Sequence, residues 1–235
     1  MTPRLLIILL IGSVAGICEA FFNPVNNFHL RVLLIAGIAG AFFTLFFLAG
    51  KSAFRKIALL FILLLTLIPF LLPSREINSN DVREDYLNRL IQLNDVPYHW
   101  GGESAGGIDC SGLPRKTLRE AMFWHGVKTG NGKPIRAAVS QWWNDASAKA
   151  ISEGYRDYAT KLGTEGSIAK MSYAELKPGD LAVSMGGVHV LVYLGNDQWI
   201  QAAPEVGHVA IFDGRKDNNR WLKVAVTTHR WKVFE

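Results

Sequence analysis

The first 73 residues contain one acidic side chain, Glu19, and five bases, Arg4, Arg31, Lys51, Arg55 and Lys56. A stretch this poor in charge falls into three apolar runs, Leu5–Cys18, Val32–Gly50 and Ile57–Pro73. Runs of this length and composition suit lipid as their solvent. The second and third runs, 19 and 17 residues long, approach the ~30 Å of a hydrocarbon core as helices at about 1.5 Å per residue. Both are expected to be transmembrane, at about 32–50 and 57–73. The first, which Phe21 and Phe22 extend to about 5–22, is expected as a retained helix. Its short basic start and the Cys18-Glu19-Ala20 ending also fit a signal-peptide core cleaved after Ala20. Ile17, where a small residue would be needed, argues against lipidation of Cys18. Gly12 and Gly16, four apart, would let two helices approach closely.

Lys51, Arg55 and Lys56 crowd the short second loop, whereas Asn23–Leu30 carries no lysine or arginine. The excess of bases belongs on the cytoplasmic side, so the N-terminus is expected inside and everything from Ser74 onward outside. That outer part has 20 of the chain's 25 lysines and arginines and 19 of its 20 acids. The basic balance therefore comes from the membrane flanks; the expected partner is a bilayer, with no nucleic acid.

Residues 74–80 read as a polar linker and 81–235 as one domain. Asp81-x-x-Glu84 resembles a capping box opening a helix to about Leu93, with Val82, Tyr86, Leu87, Leu90, Ile91 and Leu93 on its apolar face. Asn94–Asp109 is a glycine-rich loop that delivers Cys110 to the start of a helix running to about Trp124, near whose end His125 falls. Pro114 sets that helix to begin near itself, or else kinks the first turn. Pro134–Ile151, with Trp142 and Trp143, and Gly154–Leu162 read as two further helices, a helical insertion at about 126–172. Pro178-Gly179-Asp180 launches a strand, Leu181–Met185; Gly186-Gly187 turns it, and Val188–Leu194 returns with His189, Leu191 and Tyr193 on one face. Strands at Gly207–Phe212 and Trp221–Phe234 complete a small sheet, the last holding a structural His229.

A thiol attacks as the thiolate, and a helix N-terminus favours that charge. A histidine in reach can take the proton and return it to a leaving group. Cys110 and His189 therefore read as nucleophile and base of a cysteine hydrolase. No metal-binding spacing or phosphate-cradling loop is present, and no cofactor is expected.

Asp109-Cys110-Ser111-Gly112-Leu113, preceded by Tyr98-x-Trp100-Gly101-Gly102 and followed by Pro178-Gly179-Asp180-Leu181 and His189-Val190-x-Val192-Tyr193-Leu194-Gly195, resembles the NlpC family of papain-like cell-wall peptidases. The resemblance covers roughly Asp81–Phe212 and implies an α+β, papain-like fold with helices packed on a small antiparallel sheet. It implies that Gln201 orients His189, with His208 as the alternative, and that Tyr98 contacts the thiolate or the oxyanion; loop packing is its other reading. Trp100, Asp109, Ser111 and Gly187 would line the substrate, although Trp100 also reads as packing. The implied substrate is a peptidoglycan stem peptide cut at the D-glutamyl–diaminopimelate bond. Alternatives are a muramoyl-L-alanine amidase, a lipid or thioester acyl hydrolase of the same superfamily, and an inactive wall-binding module.

Overall fold

A computed structural model describes residues 2–235. It opens with three helices long and apolar enough to cross a membrane, α1 (Pro3–Phe22), α2 (Phe28–Leu48) and α3 (Ala53–Leu71). Helices α1 and α2 form a close hairpin with small residues on both sides: a Cβ at Gly16 would lie 3.1 Å from Leu33 Cδ1. A Cβ at Gly37 would lie 2.9 Å from the Ser13 carbonyl oxygen and one at Gly40 would lie 2.5 Å from Ser13 Oγ, whereas Gly12 faces open space. Of the Gly12–Gly16 pair, Gly16 therefore meets the partner helix and Gly12 does not. Helix α3 buries none of its residues.

Residues after α3 are fastened rather than loose. The Gly132 amide donates to the Pro73 carbonyl at 2.9 Å, and Arg136 donates to the carbonyls of Phe70 and Leu72 and to Ser74 Oγ. Helix α4 (Ser79–Gln92) begins inside the predicted linker, because Asn78, not Asp81, caps it by accepting from the amides of Asn80 and Asp81. Val82, Tyr86 and Leu90 are buried as expected, while Ile91 is half exposed.

A short hairpin, β1 (Glu103–Ser104) and β2 (Gly107–Ile108), leads into α5 (Gly112–Thr129), followed by α6 (Gly132–Trp143) and α7 (Ala148–Ser152). Six strands then form one antiparallel sheet in the order β3-β8-β4-β5-β6-β7: β3 (Ala159–Ser167), β4 (Leu181–Ser184), β5 (Val190–Gly195), β6 (Gln198–Ala203), β7 (His208–Asp213) and β8 (Ala225–Trp231). A four-residue helix, α8 (Arg220–Lys223), precedes β8.

Alternation along the strands separates two cores. Leu181, Val183, Val190, Val192 and Ile200 pack with α4 and α5, while Ala182, Leu191, Tyr193 and Trp199 pack with Trp221 and Leu222.

Several expectations need correction. The helix predicted over Gly154–Leu162 is a single turn, Tyr155–Asp157, and then the edge strand β3, so the 126–172 stretch is not wholly helical. Lys161 and Glu165 project outward along β3 at 53% and 47% side-chain exposure, as on an edge whose one ladder, to β8, fixes the strand. The long helix over Pro134–Ile151 divides at Asn144, where α6 stops and Ser147 caps α7. His125 is a buried residue within α5, which runs on to a left-handed Gly130 cap. Trp221 lies in α8 rather than in the final strand, and β8 sits between β3 and β4 instead of closing the sheet. Trp142 and Trp143, at the end of α6, face the α1–α2 hairpin, Trp143 edge-on to Phe28 at 5.7 Å and Trp142 beneath Arg31 at 6.0 Å.

Candidate active site

Backbone hydrogen bonds hold the glycine-rich loop in place. Tyr98 donates to the Gly207 carbonyl (2.8 Å), Ile108 to Pro97 (3.0 Å), and Asp109 to Gly102 (3.0 Å). Gly102 and Gly112 permit the last contact: a Cβ at Gly102 would meet the Gly107 carbonyl oxygen at 2.5 Å, and one at Gly112 would collide with the Gly102 carbonyl.

Asp109 ties the turn that carries Cys110. Its Oδ1 accepts from the amides of Ser111 (2.9 Å) and Gly112 (2.6 Å) and from Ser111 Oγ (3.1 Å); its Oδ2 accepts from the Gly101 amide (3.0 Å). The acid thus serves as the cap of α5. Pro114, third residue of the helix, sits in the first turn, where its missing N–H costs nothing. Cys110 occupies the turn just before the helix.

The Cys110 sulfur lies 3.9 Å from the carbonyl oxygen of Val188, at the entrance to β5. The residue is 9% exposed. Burial pushes its thiol up to about 11, and the Asp109 carboxylate adds to this, against opposing hydrogen bonds from the Val190 and Ser111 amides. The helix-terminus activation expected from the sequence is outweighed. Tyr98 is also pushed up, to about 12, by burial and then by the proximity of Cys110 and Asp109.

Ser184 fixes His189: its Oγ accepts from the His189 amide at 2.9 Å, and its own amide donates to the His189 carbonyl at 3.0 Å. The imidazole Nε2 is 2.5 Å from Gln201 Oε1, on the neighbouring strand β6 and the same sheet face. An amide oxygen only accepts, so Nε2 carries the proton and Nδ1 is the basic nitrogen. Burial holds the imidazole down to about 4 despite this bond. His208, the alternative partner, lies elsewhere, half exposed and 3.8 Å from Asp95.

The indole of Trp221 stacks on the imidazole, with centroids 4.0 Å apart and planes 13° from parallel. Reading residues 221–234 as one strand hid this contact. The usable signal was Asn219, whose side chain accepts from the Trp221 amide and starts α8.

The other expected substrate residues divide. Trp100 is 80% exposed rather than packed. Ser111 bonds Asp109. Gly187, at φ +69°, lies so close to Lys149 that a Cβ would collide with its backbone, so it is a packing position rather than an open subsite.

Residues 95–230 match the sequence model of the NlpC/P60 family. The chain is 23% identical over 134 residues to the murein DD-endopeptidase MepS/murein LD-carboxypeptidase of Escherichia coli K12, a match covering 56% of this chain and 55% of the relative. It thus spans about half the length of the curated relatives it matches. Among solved structures, the P60 domain of the M. avium subspecies paratuberculosis antigen MAP1204 aligns at 21% identity, covering 68% of this chain and 99% of that one, with a TM-score of 0.39. The peptidoglycan hydrolase RipB of Mycobacterium tuberculosis aligns at 24%, covering 64% and 65%, with the same score.

Proposed function

The chain belongs to the NlpC/P60 family, and from that premise we propose that it is a membrane-anchored cysteine hydrolase of peptidoglycan stem peptides. The observation that carries this reading is the buried His189–Gln201 pair at 2.5 Å, beside a cysteine that lies against the start of the same strand. The Gln201 oxygen holds the Nε2–H and turns Nδ1 toward proton transfer. His189 takes the Cys110 proton as the sulfur attacks an amide carbonyl, then gives it to the departing amine; water cleaves the resulting thioester. The Cys110 amide, with Tyr98, stabilises the oxyanion. Trp221 covers the imidazole and keeps water from the His189–Gln201 bond.

The proposed bond is the D-glutamyl–diaminopimelate amide. The E. coli relative is named for an endopeptidase and a carboxypeptidase activity, both of which hydrolyse peptide bonds, in keeping with a stem-peptide substrate. The proposed topology places the hydrolase domain on the outer face of the cytoplasmic membrane, with Lys51, Arg55 and Lys56 inside. Contacts between the α1–α2 loop and the domain suit it, since three crossings leave both on one side.

The test is incubation of the full-length protein with purified peptidoglycan, followed by mass analysis of released fragments, beside Cys110→Ala. Fragments ending at D-glutamate are expected from the parent alone. Identical products from both proteins would end the hydrolase reading, while cross-link cleavage alone would move the bond.

A further inference from the structure

The segment joining α1 and α2 does more than turn the chain. Val25 lies opposite Gly102 in an antiparallel bridge; the Glu103 amide donates to the Pro24 carbonyl at 2.7 Å, and the Asn26 amide to the Gly101 carbonyl at 3.3 Å. The membrane hairpin thereby adds a short strand to the loop that leads to the nucleophile. Gly102, at the centre of this pairing, also accepts from Asp109.

Buried charge follows the same route. The Arg31 side chain, 4% exposed, donates to Asn26 Oδ1 (2.9 Å), the Asn26 carbonyl (3.0 Å) and the Trp143 carbonyl (2.8 Å), and pairs with Asp145 at 2.9 Å. Asn26 bonds the carboxylate of Glu103, whose side chain is 1% exposed. Glu103 pairs in turn with Arg119 at 2.7 Å and Arg115 at 3.4 Å, and Arg115 donates to the carbonyl of Ser111, next to Cys110, at 3.0 Å. Burial alone would raise the Glu103 carboxyl, but the two arginines and the Arg119 and Asn26 hydrogen bonds hold it down to about 2. An unbroken path of polar contacts, Arg31–Asn26–Glu103–Arg115–Ser111, therefore runs from α2 to the nucleophile's turn. Tethering needs none of it, because the covalent link to the membrane runs through α3.

We propose that the α1–α2 segment, through Asn26 and Arg31 as positioning residues, clamps the Gly101–Ile108 hairpin and so sets the geometry of the Cys110 turn. On this proposal, which rests on reading Cys110 as the nucleophile, the hydrolase site is complete only when the membrane hairpin is docked.

The experiment uses the full chain in nanodiscs, with Cys18→Ser so that Cys110 is the one thiol. Variants are Asn26→Leu, which keeps volume but removes the bridge to Glu103, and Arg31→Ala and Arg31→Lys. Three quantities are read: amide hydrogen exchange by peptide, the rate of Cys110 alkylation by iodoacetamide, and kcat and KM on muropeptides. Asn26→Leu and Arg31→Ala should speed exchange over residues 101–108 at least about tenfold while β4 and β5 stay within about twofold. They should change the alkylation rate by about threefold or more, and lower kcat at least about tenfold with KM within about threefold. Arg31→Lys should recover part of the loss, since an ammonium replaces the charge but not the planar fork.

Unchanged exchange over 101–108 together with unchanged alkylation would overturn the proposal. So would exchange that accelerates equally across the sheet, since that is global loosening. If even the parent releases no muropeptide, the hydrolase reading falls by itself, and exchange with alkylation still decides whether the clamp exists. Should Arg31→Ala fail to fold, Asn26→Leu, which leaves the Arg31–Asp145 pair intact, carries the test.

Discussion

The resting protonation of the site can be measured directly through the reactivity of Cys110. Its thiol is pushed up to about 11 and the His189 imidazole down to about 4, so at neutral pH both groups rest uncharged. At pH 7 about one thiol in 10,000 is ionised. Alkylation consumes the thiolate, so in the full-length Cys18→Ser protein the iodoacetamide rate should rise about tenfold per pH unit from pH 6 to 10, about 10,000-fold in all. His189→Gln should leave that slope unchanged, because no preformed ion pair is there to lose. Catalysis then uses His189 as a base during attack, and kcat/KM should hold through neutral pH and fall only as the pH drops toward about 4, where the imidazole takes up its proton. A rate plateau between pH 5 and 8 that vanishes in His189→Gln would refute this reasoning. It would show a standing thiolate–imidazolium pair.

Gln201→Leu removes the acceptor that fixes the His189 tautomer and should lower kcat at least about tenfold, whereas His208→Ala should stay within about twofold; equal effects in a muropeptide assay would reverse the assignment. His229 is 1% exposed, with Thr227 Oγ1 at 2.8 Å, and burial lowers its imidazole to about 4. The folded value lies below the unfolded one, so its contribution is complete above pH 6.5 and is lost as pH falls toward 4. By pH 4.5 it should cost about 2–3 kcal/mol, a loss that His229→Phe should remove from guanidinium unfolding curves; an unchanged pH dependence would contradict this. Gly187→Ala combines a positive φ with a backbone collision at Lys149 and should destabilise the chain by about 1–3 kcal/mol, read as a lower Tm.

Much of the fold was legible along the chain because its signals are local. Apolar runs of membrane length produced α1 to α3, the Pro178-Gly179-Asp180 turn and the alternation after it produced β4 and β5, Gly186-Gly187 produced the turn between them, and β7 fell at the expected Gly207–Phe212, whereas β6 was not read as a strand. Misreadings arose where a long-range partner decides. Ala159–Ser167 became a strand through its pairing with β8, some 60 residues later, and the Trp221 stretch became a helix under the imidazole. At the site, His189 and Gln201 are 12 residues apart on adjacent strands, so hairpin register joins them. Cys110 reaches the same strand through packing of α5 on the sheet, which no spacing rule encodes.

The amino-acid order by itself determined three helices long and apolar enough to cross a membrane, an α+β domain, and one thiol and one imidazole in motifs of a single family, because hydrophobic period and short-range turn chemistry act over a few residues. Only the tertiary structure decided that burial raises the Cys110 thiol, that an indole stacks on the His189 imidazole, and that Asn26 and Arg31 reach the loop before Cys110. Those outcomes depend on burial and on charges brought together from residues 31, 103, 115 and 145, and a buried charge is defined by what folds around it.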